Sequence, residues 1–293
     1  MTILQAMILG LVEGLTEFLP ISSTGHLILA SALLGLDDPG THKQAIDGFT
    51  IVIQGGAILA VLGLYRARVG TMLAGLAGRD AAGLKLFVNI VVAFVPAAIL
   101  GPLLHDAIEQ RLFYPVPVIA ALVLGGVCMI ALGPWQRRFH REAADGRDAE
   151  NDFLDIERLS WRLALLIGAL QCLAMWPGMS RSMVTIVGGM LVGMRARHAA
   201  EFSFLLGLPT LGGACVYRLA GSMTSDEQSI LDAIGWFPLI VGVVTATISA
   251  ALAIRWFVGW LNRHGLAVFG WYRIAIAVVF AILVVTGVIG DLR

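Results

Sequence analysis

Two short polar segments lie within otherwise apolar sequence, and both carry groups able to do phosphate chemistry. The first, EGLTEFLPISSTGH, runs from Glu13 to His26, and the second, WPGMSRSMVT, from Trp176 to Thr185. Glu13 and Glu17 are four residues apart, so on a helix they share one face. Two such charges repel in a low dielectric unless a cation or an arginine compensates them. Their oxygens are the hard ligands that Mg²⁺ or Ca²⁺ prefers, and either acid can serve as a general base. Ser22, Ser23 and Thr24 follow Pro20 and can cap the next helix, expected to start near His26. A helix N-terminus of that kind also binds anions. His26 stands within one helical turn of Ser23, and a serine beside a His or Glu base is a recurring nucleophilic arrangement.

In the second segment the central group is Arg181, which is always charged and matches phosphate with two parallel bonds. Ser180, Ser182 and Thr185 surround it with hydroxyls, Gly178 lies in the turn before it, and Trp176 is placed to shape a pocket. A guanidinium between apolar helices needs an anionic partner. Glu13 or Glu17 can supply one internally, a bound phosphate can supply another, and the two can coexist. Ionisable groups in lipid are expensive and usually functional. Together the segments predict a site for a phosphorylated substrate.

The elements that must position them are membrane helices. The chain is 58% hydrophobic and only 14% charged, with mean hydropathy +0.85, against about 25% charged residues in soluble domains. It is therefore expected to be an all-α, polytopic integral membrane protein. The net charge is zero and no long basic tract is present, so nucleic acid is not an expected partner. Cys128, Cys172 and Cys215 have no CxxC or Cys/His spacing, which argues against a disulfide frame or a zinc site. They read as small buried hydrophobes. The first residues lack a basic region and a cleavage site, so no cleaved signal peptide is expected. His42, His105, His140, His198 and His264 fall in loops or at helix ends and read as interfacial, as do Trp236, Trp256 and Trp271.

Apolar runs long enough for membrane helices fall near 2–19, 21–36, 46–65, 84–104, 115–133, 158–176, 178–194, 199–220, 234–259 and 268–290. The long polar stretch 134–157 reads as an exposed linker between a first unit, 1–133, and a second, 158–293. Pro20 and Pro177, Ser23 and Ser180, and Gly55-Gly56-Ala57 and Gly212-Gly213-Ala214 all share an offset of 157, which suggests duplication. Both helix pairs around the polar motifs break at a proline. If each pair starts and ends on one side, three crossings separate the repeats, which makes their topology inverted, with two re-entrant pairs and about six full spans. One side then carries Lys43, Arg111, Arg218 and Arg293. The other carries Arg66, Arg68, Arg79, Lys85, Arg137, Arg138, Arg141, Arg147, Arg158, Arg195, Arg197, Arg255 and Arg263. A bias of thirteen to four places the richer side in the cytoplasm and both termini outside. Full hairpins would hold the two motifs about 30 Å apart, on opposite faces. Re-entrant pairs bring them together near the midplane, where irregular backbone survives only inside protein or beside water.

At these residues the chain resembles the bacterial undecaprenyl-diphosphatase family, also called bacitracin-resistance proteins. EGLTEFLPISSTGHL at 13–27 and PGMSRSMVT at 177–185 match its two signature segments, with further similarity in VIQGGAILAV at 52–61, LQCLAMWPG at 170–178 and EFSFLL at 201–206. The resemblance implies hydrolysis of undecaprenyl diphosphate to the monophosphate that carries envelope polymers, dependence on a divalent cation, and an outward-facing site in the cytoplasmic (inner) membrane. It implies Glu13 and Glu17 as acids and cation ligands. Ser23, Glu17, His26 and Arg181 become the catalytic set, with Ser22, Thr24, Gly178, Ser180, Ser182 and Thr185 as binding residues. Three positions depart from the family pattern: Met183 and Val184 replace a small pair, and Thr50 stands where relatives commonly carry Glu. Membrane lipids are expected partners, and a homodimer is an open option. A transporter or prenyl-phosphate translocase of the same architecture is the rival reading, though the Glu-Glu-Ser-His cluster favours an enzyme.

Overall fold

Proline, glycine and serine decide where the helices stop, and the stops make the site. The computed structural model describes residues 1–36, 42–144, 154–222, 234–261 and 263–287, with backbone alone at 42–45, 47, 135–144 and 218–222. The side chains of His42, Lys43, Arg137, Arg138, His140, Arg141 and Arg218, and all of Arg147 and Arg293, lie outside that description, as do residues 223–233.

The described residues form helices α1 (Ile3–Glu17), α2 (Ser23–Leu33), α3 (His42–Leu64), α4 (Arg66–Leu76), α5 (Ala81–Leu112) and α6 (Pro115–Ala144). After these come α7 (Trp161–Gln171), a 3₁₀ turn (Cys172–Met175), α8 (Arg181–Leu191), α9 (Ala196–Ser222), α10 (Trp236–Leu261) and α11 (Ala267–Val285). Five of them, α5, α6, α9, α10 and α11, are long and apolar enough to cross a membrane; α3 with α4 makes a sixth candidate, bent by 79°. The chain is thus an all-helical, multi-pass membrane protein. Its exterior agrees: Leu103, Val116 and Val285 are 73%, 74% and 86% exposed, a surface suited to hydrocarbon and an aggregation hazard in water.

The motif helices are short. α1 has 15 residues, α2 and α8 have 11 each, and α7 with its 3₁₀ turn has 15. At ~1.5 Å per α-helical residue and ~2.0 Å per 3₁₀ residue none exceeds ~25 Å, less than the ~30 Å hydrocarbon core. Each is too short to span alone, and the two turns meet inside the protein: Ser182 Oγ donates to the Leu19 carbonyl at 2.8 Å.

Packing between the halves is reciprocal. α1 lies on α10, α7 lies on α5, and α3 packs on α9. Gly10 and Gly168 are the contact points, 158 apart; a Cβ on Gly10 would strike the Gly242 carbonyl, and one on Gly168 the Ala93 carbonyl. Overpacking of this kind costs about 1–3 kcal/mol. Gly168→Ala should therefore lower the thermal unfolding midpoint in detergent, and an unchanged midpoint would contradict this close approach.

Four expectations need correction. Helix α4 falls between the expected spans 46–65 and 84–104, because Arg66 and Arg68 interrupt its hydropathy. The stretch 134–157 is not wholly an exposed linker: α6 continues to Ala144, and residues 145–153 lie outside the described set. Its end turns inward because Ile156 and, just beyond, Leu159 are apolar and buried, while Leu154 N–H donates to the Gly193 carbonyl. Helix α2 starts at Ser23, earlier than His26, because Ser22 caps it. Finally, Cys128 is exposed rather than buried, which costs a thiol little where the surroundings are lipid.

Candidate active site

The two turns have the same local construction. Ser22 caps α2 with φ 74° and accepts from Gly25 N–H; Ser180 caps α8 with φ 71° and accepts from Met183 N–H. A left-handed conformation at a residue other than glycine is strained by about 1–2 kcal/mol, and such strain collects at functional sites. The structural match is thus Ser22 with Ser180, an offset of 158 rather than 157, because the second turn holds one more residue between its proline and its cap. Ser23 and Arg181 consequently occupy the same place, the first residue of a short helix, one in each half.

Glu17 joins them. Its Oε2 accepts from Ser23 Oγ at 2.6 Å, and its Oε1 accepts from Arg181 Nη2 at 3.2 Å. The Glu17 and Arg181 side chains are only 5% and 9% exposed. Arg181 Nη1 donates to the Ser203 carbonyl at 2.8 Å, and its guanidinium carbon lies 5.4 Å over the Phe18 ring. Its Nε has no hydrogen-bond partner among the described residues. Thr185 Oγ1 bonds Ser203 Oγ at 2.6 Å and the Arg181 carbonyl at 2.8 Å, so it holds the arginine rather than facing the cleft. Ser180 Oγ and Ser182 Oγ are 3.0 Å apart.

A cleft of about 120 Å³ lies in front of these groups. Glu17, Ser22, Ser23, Thr24, Gly178, Ser180 and Arg181 line it, with Trp176, Gln54 and Leu211. Gly178 has φ 95°, and a Cβ there would press on the Val118 carbonyl, so only glycine fits. The predicted Trp176 wall is present, its Nε1 donating to the Pro117 carbonyl at 3.0 Å.

His26 departs from its expected role. Nδ1 meets the Ser22 carbonyl at 2.7 Å, and Nε2 meets the Tyr272 hydroxyl at 2.8 Å. Both ring nitrogens are engaged, and the residue does not line the cleft. The ring folds back onto the carbonyl four residues earlier, which leaves Glu17 as the carboxylate bonded to Ser23. Glu13 is also absent from the cleft wall; it is 1% exposed, and its Oε1 has no hydrogen-bond partner among the described residues. The described residues hold no group of three or more His, Cys, Asp or Glu side chains placed for a metal.

Spacing did not reveal Gln54, Leu211, Ser203, Gly207, Tyr272 or Arg273. A Cβ on Gly207 would come within 2.9 Å of Arg181 Nη1, so that glycine makes room for the guanidinium. Met183, bulkier than the family pattern, is buried and lies beside Gly125 of α6. Thr50 is half-buried, one turn before Gln54 on α3. The other histidines are peripheral where described: His105 lies 3.6 Å from Glu109, His198 lies 3.0 Å from Asp155, and His264 stacks on Trp260.

The profile of the family described as "Bacitracin resistance protein BacA" matches residues 6–279. The chain is 45% identical to a protein of Sorangium cellulosum over 93% of its own length and 83% of the relative's. It is 42% identical to one of Nitrosomonas europaea, covering 98% and 96% respectively. A Cupriavidus metallidurans protein is 43% identical over 98% and 97%. Each of the three is named undecaprenyl-diphosphatase.

Proposed function

The chain belongs to the bacitracin resistance protein BacA family, and from that premise we infer how its cleft works. It is a hydrolase that converts undecaprenyl diphosphate to undecaprenyl phosphate and phosphate. This recycles the lipid carrier for envelope polymers and confers bacitracin resistance. One observation carries the site assignment: Glu17 holds Ser23 on one oxygen and Arg181 on the other, joining the two halves.

The diphosphate enters the cleft while the prenyl chain lies among membrane lipids against the exposed apolar surface. Arg181 turns its Nε–H and Nη2 towards the terminal phosphoryl group, and the N-termini of α2 and α8 add their free N–H groups. Thr24 and Ser180 offer hydroxyls. As the phosphate takes over the guanidinium, Glu17 is released to accept the Ser23 proton. Ser23 Oγ then forms a bond to the terminal phosphorus, and the bridging P–O bond breaks. The leaving group, undecaprenyl phosphate, takes the proton from Glu17 and so restores its carboxylate. Glu17 next takes a proton from water as the water attacks the phosphoserine, and hands it to Ser23 Oγ as the P–O bond to serine breaks and phosphate is freed. Such reactions depend mainly on positioning and charge neutralisation. His26 supports the Ser22 turn instead of taking part.

A divalent cation fits this donor set. Glu13 brings a buried carboxylate oxygen without a hydrogen-bond partner among the described residues, Glu17 stands one turn away, and Mg²⁺ commonly uses one or two carboxylates with substrate phosphates. When bound, the cation supplies positive charge to the phosphate oxygens. The reciprocal packing supports the inverted repeat, 1–133 against 158–293. Arg68 and Lys85 both reach Glu157, at 2.8 and 2.7 Å. They gather segments assigned to the cytoplasmic side, and no residue of that cluster lines the cleft. This supports a cleft opening outward from the inner membrane.

The test is phosphate release from undecaprenyl diphosphate by purified protein. EDTA should reduce the rate at least tenfold, and Mg²⁺ or Ca²⁺ should restore it. Full activity in EDTA would remove the cation from the account, and no release by folded protein would remove the cleft assignment.

A further inference from the structure

Behind the cleft sits a second guanidinium. Arg273 of α11 is 0% exposed, and it ends on main-chain carbonyls alone. Nε donates to Leu122 at 3.2 Å; Nη1 donates to Met179 at 3.1 Å and Pro20 at 3.4 Å; Nη2 donates to Ala121 and Gly178, both at 2.8 Å. Five N–H groups meet five acceptors, which is the full capacity of an arginine. No N–H remains for substrate, and among the described residues no carboxylate pairs with it. A buried, unpaired cation is costly, and apolar side chains alone could fill the space more cheaply.

The identity of the acceptors explains the cost. Pro20 stands two residues before the Ser22 cap, and Gly178 and Met179 directly precede the Ser180 cap. The other two acceptors, Ala121 and Leu122, belong to α6. One planar group therefore fastens both turns, which come from opposite halves of the chain, onto a common helix. We propose that Arg273 is a positioning residue for the hydrolysis, setting the placement of Ser23 and Glu17 on one turn relative to Arg181 on the other. This rests on the cleft assignment above. Lysine cannot substitute, since it brings three donors on a point charge in place of a flat fork.

The test compares Arg273→Lys, which keeps the charge, with Gly125→Ala, which keeps the arginine. A Cβ at position 125 would collide with Arg273 Nη2 and displace the guanidinium. Gly83→Ala serves as the stability control. A Cβ there would strike the Thr71 carbonyl, where α5 meets α4, and neither helix contributes a residue to the cleft wall. Wild type and all three variants are assayed for kcat and KM on undecaprenyl diphosphate, and for unfolding midpoint. Misplacing reacting groups by about 1 Å costs about 10²-fold. Arg273→Lys and Gly125→Ala should thus lose about 10²-fold in kcat, with KM within about threefold, while Gly83→Ala keeps wild-type kcat despite a lower midpoint. If Arg273→Lys does not fold, Gly125→Ala carries the test. The proposal is overturned by near wild-type kcat in either folded variant, or by an equal kcat loss in Gly83→Ala. Failure of the wild type to release phosphate would instead overturn the cleft assignment.

Discussion

Ser23→Ala should abolish turnover, lowering kcat by ~10⁴-fold or more while the protein stays folded. Removing a serine nucleophile from a hydrolase that works through a covalent intermediate has cost as much as ~10⁶ in kcat. Here the change deletes one oxygen from a half-exposed position at the start of α2. The cap belongs to Ser22, so the helix keeps its N-terminus. Glu17 keeps Arg181 and loses only the 2.6 Å bond from Ser23. The unfolding midpoint should move little, and substrate binding through Arg181 should persist. Rates from the variant within about a hundredfold of wild type would mean that Glu17 activates water directly, with Ser23 reduced to a binding hydroxyl.

Arg181→Lys is expected to lower kcat/KM by at least ~10³-fold, the range found when an arginine that neutralises a transferring phosphoryl group is removed. The guanidinium reaches Ser203 with one nitrogen and Glu17 with another, and has its Nε–H left over. An ammonium cannot span those directions or present parallel N–H groups to a phosphate. The ammonium also gives up the charged hydrogen bond to the Ser203 carbonyl, a loss of about 1.5–3 kcal/mol, so the unfolding midpoint should fall as well. Loss of activity at temperatures where the variant remains folded separates the two effects. Activity within tenfold of wild type would leave Arg181 as a structural counter-charge for Glu17.

Much of this site was readable before any coordinates, for a physical reason. Glu13, Glu17 and Arg181 stand out because charges are costly in apolar sequence, and Ser22 and Ser180 stand out because they follow prolines that stop helices. The contact between Glu17 and Arg181 agrees with the supposed re-entrant pairs, as do the short lengths of α1, α2, α7 and α8. Arg273 escaped notice although it is equally costly. It lies within an apolar run, and its partners are carbonyls, which every residue has and no pattern distinguishes. Gln54, Ser203 and Gly207 were hidden in the same way, since their roles depend on which helices cross near Arg181. For His26, sequence distance reports nearness to Ser23 but not the direction of the ring, which the Ser22 carbonyl and Tyr272 set. The repeat was legible in outline, yet one extra residue in the second turn moved the true match from Ser23 to Ser22.

The central claim is that Ser23 itself receives the phosphoryl group, and the stereochemical course at phosphorus tests it most directly. The substrate would be undecaprenyl diphosphate with a terminal thiophosphoryl group made chiral by oxygen isotopes, hydrolysed in water carrying the third isotope. Two in-line displacements, first by Ser23 and then by water, predict net retention of configuration in the released thiophosphate. Inversion would show a single displacement by water and contradict the covalent role of Ser23.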